Sequence, residues 1–107
     1  MSNFEVILCI VNTGFAEAAM DAARKLGARG GTILNGRGTA SKEAEKMFNI
    51  TIQPEKEIVM ILVASDIKDV ILKGLYDAVG VSTPGQGIAF TLPVEDVVGI
   101  GSAPTAK

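Results

Sequence analysis

The chain contains no histidine and no tryptophan, and it has a single cysteine, Cys9. Without histidine, general acid–base catalysis near neutral pH loses its usual agent. One cysteine and no histidine leave too few ligands for a zinc site, and a lone cysteine forms no intrachain disulfide. Cys9 lies in an apolar run and reads as an inert core thiol suited to a reducing cytoplasm. No cluster of lysine and arginine is present and the net charge is −2, which argues against nucleic acid as a partner. The longest apolar run, Val6 to Val11, is too short to cross a membrane. The first residues carry no basic segment of the kind that opens a signal peptide, so a cytoplasmic protein is expected.

What the chain has in excess is apolar material. Of its 107 residues, 48% are hydrophobic, and the mean hydropathy is +0.35. A chain of this length makes one domain, residues 1–107, with a core of limited size. The surplus predicts an interface that buries it.

Glu5 to Val11 is apolar and β-branched and reads as a buried strand. Asn12-Thr13-Gly14 then offers a helix cap, and Phe15, Ala19, Ala22 and Leu26 fall on one helical stripe. Gly27 sits where a left-handed C-terminal cap belongs. Ala28 to Leu34 reads as a second strand, opened by Gly30-Gly31. The second half repeats the plan. Glu57 to Val63 mirrors the first strand, and Ser65-Asp66 caps a helix with Ile67, Val70, Ile71 and Leu75 on one face. Gly80 ends that helix as Gly27 ends the first, and Ile88 to Leu92 closes the pattern. Two βαβ halves predict an α+β, ferredoxin-like βαββαβ fold, a four-stranded antiparallel sheet with both helices on one face. The other face is left bare, which calls for symmetric self-association.

A long connection runs from about Gly36 to Pro54, with a charged middle, Ser41 to Phe48, at helical spacing. Connections of this length in compact domains are usually functional. The tail, about 101–107, is rich in small residues and is expected to be loose.

No residue pattern points to catalysis or to a metal. Glu43 and Glu45 alternate with Lys42 and Lys46 as on a solvated helical face, and Glu95-Asp96 reads as a turn or a helix start. The informative residues are glycines. Gly36-Arg37-Gly38 combines backbone freedom with a positive charge, a pattern that suits an anion nest as well as an ordinary turn. Gly85-Gln86-Gly87 closes a second Gly/Pro-rich loop. Lys56, at the foot of the third strand, adds a charge, although beside Glu55 and Glu57 it also reads as a surface lysine. In this fold the three lie near one another and form the candidate site for a phosphate-bearing ligand. The Gly-Lys-Ser/Thr signature of a P-loop is absent.

These residues resemble the PII-type signal transduction proteins, the nitrogen regulatory P-II family, over residues 4 to about 101. The resemblance is carried by Leu26-Gly27-Ala28-Arg29-Gly30-Gly31-Thr32, by Gly36-Arg37-Gly38, and by Gly85-Gln86-Gly87-Ile88-Ala89-Phe90 followed by Pro93-Val94-Glu95-Asp96-Val97-Val98. It implies a homotrimer with inward-facing sheets and a small-molecule effector, an adenine nucleotide in the family, in clefts between subunits. It also implies a T-loop, here about 37–54, that docks on a target enzyme, transporter or regulator. The chain departs from the family at several points. Ile88 stands where the family has a lysine, Gly99 and Gly101 where it has arginines, and Ala40 where it has a glutamine. The only tyrosine, Tyr76, lies on the second helix and not in the T-loop.

Two other functions fit the same residues. One is a structural α/β unit that self-assembles without an effector site. The other is an acylphosphatase-like hydrolase, for which only Asn35 and Arg37 approach the required cradle. The expected function is regulatory and not enzymatic.

Overall fold

The structure is a computed structural model that describes residues 3–39, 46–47 and 54–99. The elements run β1 (Phe4–Asn12), α1 (Ala16–Lys25), β2 (Gly31–Arg37), β3 (Glu55–Ala64), a 3-10 turn (Ser65–Ile67), α2 (Lys68–Val79) and β4 (Ile88–Val94). One antiparallel sheet holds the strands in the order β2-β3-β1-β4. This is the ferredoxin-like arrangement that the sequence predicts. The charged stretch Ser41 to Phe48 falls outside the described residues except for Lys46 and Met47. The tail, together with Ala40 and Gly101, lies outside them entirely.

Alternation along the strands divides the apolar residues between two faces. Ile7, Cys9 and Val11 of β1 and Val59, Ile61 and Val63 of β3 are buried against the helices. They meet Ala16, Ala19, Met20 and Ala23 of α1 and Ile71, Leu75 and Val79 of α2. Small residues on α1 let it lie close to the sheet, and Met20 fills the remaining gap.

The helix stripes fall largely where expected, with Phe15, Ala19, Ile67, Ile71 and Leu75 on the core and Leu26 and Val70 off it. On α1 the inward residues are Ala16, Ala19, Met20 and Ala23, and Leu26 is exposed. On α2 they are Ile71, Leu75 and Val79, while Val70 is 52% exposed. Neither helix has a side-chain cap from its own preceding residues. The Glu57 carboxylate caps α1 instead, accepting from the Gly14 N–H at 2.9 Å and the Ala16 N–H at 3.2 Å.

Gly27 does end α1 with a positive φ of 116°. The Gly27 N–H donates to the Arg24 carbonyl and the Ala28 N–H to the Ala23 carbonyl, the pair of bonds that defines a Schellman motif. Gly80 is different. Its φ of −67° and ψ of −173° are extended, and glycine is needed because a Cβ there would collide with the Tyr76 carbonyl.

Strand β2 begins and ends three residues later than expected. Asn35 and Gly36 look like breakers, but pairing opposite Glu57 and Lys56 carries the ladder through to Arg37. Cross-strand pairing outweighs local preference here. Strand β4 runs on through Pro93, which is tolerated because β4 is an edge strand.

The face away from the helices is a set of apolar cross-strand rows. Leu92, Val6 and Leu62 form one row, and Phe90, Leu8 and Met60 a second. Ile88, Ile10, Ile58 and Leu34 form the third. Leu34, Ile88, Phe90 and Leu92 are between 43% and 57% exposed. Among the described residues no element covers this face.

Candidate functional site

The fourth row of that face changes chemistry. Asn12 of β1 lies opposite Lys56 of β3, which lies opposite Gly36 of β2. An apolar strand that ends in asparagine thus places an amide beside an ammonium at one end of the sheet. Lys56 Nζ donates to Asn12 Oδ1 at 2.6 Å. Asn12 Nδ2 donates to the Pro84 carbonyl at 3.0 Å and to Gln86 Oε1 at 3.3 Å. The Asn12 backbone N–H donates to the Gly85 carbonyl at 2.9 Å. The loop from Gly80 to Gly87 is therefore fastened to the Lys56 end of the sheet.

Gly38 lies against the stem of Lys56. A Cβ at Gly38 would come within 3.0 Å of Lys56 Cε and 3.3 Å of Lys56 Cγ, so the lysine's course depends on the missing side chain. Its N–H donates to the Pro54 carbonyl at 2.6 Å, closing the base of the long connection. Gly36 packs its bare Cα toward Ile58, whose Cδ1 would lie 3.1 Å from a Cβ. Gly85 and Gly87 are buried. At Gly87 a Cβ would meet the Val79 carbonyl at 2.6 Å and Val11 Cγ1 at 2.8 Å.

The structure thus brings Gly36 and Gly38 beside Lys56, and Lys56, Gly85 and Gln86 together around Asn12, with Gly87 anchoring the loop behind them. Arg37 is not in this group. It is opposite Glu55 in the ladder, and alternation sends its side chain to the helix side of the sheet. Two of the loop N–H groups expected to face an anion are engaged within the protein. The Gln86 N–H donates to the Thr83 carbonyl at 3.0 Å and the Gly87 N–H to the Val79 carbonyl at 2.7 Å. The chemistry left at this end of the sheet is the Lys56 ammonium, presented beside a neutral amide.

In the sequence the glycines and Lys56 stand out, whereas Asn12 reads as part of a helix cap. The available signal was its position, a polar residue closing an otherwise apolar strand. Asn12 is 4% exposed and is the one buried polar side chain among the described residues. Ile88, where the resemblance leads one to look for a lysine, is 57% exposed on the open face. Gly99 has a φ of 94°. Among the described residues no group of three or more acidic, cysteine or histidine side chains is placed to hold a metal, and no helix is long and apolar enough to cross a membrane.

No protein-family model matches the sequence, and no curated protein does. Solved structures do resemble it. Arabidopsis thaliana PII bound to citrate superposes with a TM-score of 0.72 at 23% identity, covering 96% of this chain and 85% of that one. The B. subtilis GlnK–ATP complex superposes with a TM-score of 0.72 at 16% identity, covering 94% of this chain and 91% of that one. The chain has the fold of the PII proteins.

Proposed function

We propose that this protein is a PII-like signal-transduction regulator and not an enzyme. It binds a small anionic effector at the Lys56 end of the sheet, in clefts between the subunits of a homotrimer. The reading is carried by the convergence of Gly36 and Gly38 on Lys56, and of Lys56, Gly85 and Gln86 on one buried asparagine. It is supported by solved relatives of the same fold that hold citrate in one case and ATP in another. The segment of about 37–54, which leaves and re-enters the sheet beside Lys56, is the T-loop. It carries the response to a target enzyme, transporter or regulator, in nitrogen metabolism or transport.

The residues present favour an effector gripped through one carboxylate or one phosphate. A triphosphate is held by several charge-assisted hydrogen bonds, each worth about 1.5–3 kcal/mol. Here Ile88 and Gly99 offer no cation, and Arg37 points to the other side of the sheet. A carboxylate or a single phosphate fits the Lys56 ammonium and leaves fewer charges unmatched. ADP and ATP are therefore expected to bind more weakly than AMP or a small carboxylate.

Titration calorimetry with citrate, AMP, ADP and ATP tests this. Binding that Lys56→Ala weakens about ten- to a hundredfold supports it, the range one charged hydrogen bond spans. Tight ATP binding that Lys56→Ala leaves unchanged overturns it.

The second reading, self-assembly without an effector, is favoured by the three uncovered apolar rows alone. A trimer buries those rows as well, and the polar fourth row has no purpose in a purely structural array.

A further inference from the structure

Buried asparagines are costly unless every polar atom is bonded. Asn12 meets that condition with bonds to two segments far from it in the chain: Lys56 on β3, and the loop at Pro84, Gly85 and Gln86. Only one orientation of its amide fits them. Lysine can only donate and the Pro84 carbonyl can only accept, so the oxygen faces Lys56 and the nitrogen faces the loop. The same bonds hold Gln86, whose φ of 47° is left-handed and the one positive value outside glycine among the described residues. A conformation that side chains rarely adopt is thus kept beside the site by a part-buried polar contact.

A purely structural role does not call for this residue. Ile10, the preceding residue on the same face, is apolar, and an apolar side chain at the strand end would need no partners. An aspartate would accept from Lys56 as well, but it would neutralise the ammonium and set a carboxylate against the Pro84 carbonyl and Gln86 Oε1. Unlike aspartate or an apolar residue, asparagine accepts from the lysine, donates to the loop and adds no charge.

We infer that Asn12 is the positioning residue of the anion site. It fixes Lys56 and the loop at 84–86 in one geometry while leaving the lysine's positive charge available. This rests on the reading of Lys56 as the anion-binding residue.

The test compares wild type with Asn12→Asp and Asn12→Ser by two readouts. Hydrogen exchange at the Gln86 and Gly87 amides should quicken about tenfold or more in both variants. The Val59 and Ile61 amides of the central strand should keep their protection, which verifies the fold. Citrate affinity should fall about tenfold or more in Asn12→Asp, and less in Asn12→Ser. That order inverts the order of shape similarity to asparagine and marks charge neutrality as the property that matters. Unchanged exchange at Gln86 and Gly87, or citrate binding by Asn12→Asp at least as tight as by Asn12→Ser, overturns the inference. A wild type that binds no citrate overturns the functional reading instead. The exchange data then still decide whether Asn12 holds the loop.

Discussion

Lys56 Nζ lies 2.6 Å from Asn12 Oδ1, at the polar end of a sheet face that is otherwise apolar. The two residues are direct partners in the β1–β3 ladder, so the contact is set by strand register. A slip of one residue would send both to opposite faces. The register is itself held by the buried pairs Ile7–Ile61 and Cys9–Val59. The core therefore positions the candidate site.

The apolar rows predict a trimer in solution. Fully burying an exposed Leu, Ile or Phe contributes about 1.5–3 kcal/mol, so half-exposed Leu34, Ile88, Phe90 and Leu92 together decide association. Light scattering at micromolar concentration should give three times the chain mass. Phe90→Glu should dissociate the assembly while the far-ultraviolet circular dichroism stays unchanged. A wild-type monomer would contradict this.

Much of the fold was legible because it is written in periodicity. The apolar run at Glu5–Val11 and its copy at Glu57–Val63 identify the two central strands, and Gly27 marks the end of α1 through its conformational need. The end of β2 was not legible. Asn35 and Gly36 signal a turn locally, and only pairing with Glu57 and Lys56 overrides them. The cap of α1 was hidden for the same reason, since Glu57 reaches it from a strand far along the chain. At the site, Lys56 and the glycines stood out by type. Asn12 did not, because its role depends on three contacts that exist only after folding.

The Glu57 cap has a measurable consequence. Removing a side chain that accepts from helix N-terminal amides costs about 0.5–2 kcal/mol, and a carboxylate there also favours the helix dipole. Glu57→Ala should lower the thermal midpoint by several degrees, the shift that about 1 kcal/mol gives in a domain of this size. Glu57→Gln, which keeps an acceptor, should lose less. Equal loss in both would assign the effect to charge alone.

Burial pushes the Cys9 thiol up from 9.0 to about 11. The folded state therefore holds the thiol proton more tightly than the unfolded chain. The resulting stabilisation is complete below about pH 9 and is lost as the pH rises toward 11. Chemical denaturation across that range should show a steeper fall in wild type than in Cys9→Ala. Thiol reagents at pH 8 should label the folded protein far more slowly than the denatured one. Parallel pH profiles in the two proteins would contradict the assignment.

The most direct test of the central claim is magnetic resonance of the lysine side chains during titration with citrate. The Lys56 Cε and Nζ signals should move most among the lysines, together with the amides of Gly38, Gly85 and Gln86. Lys68 and Lys73, which are paired with Glu5 and Asp77, should stay in place. Saturable binding that leaves Lys56 unmoved and shifts residues elsewhere would contradict it.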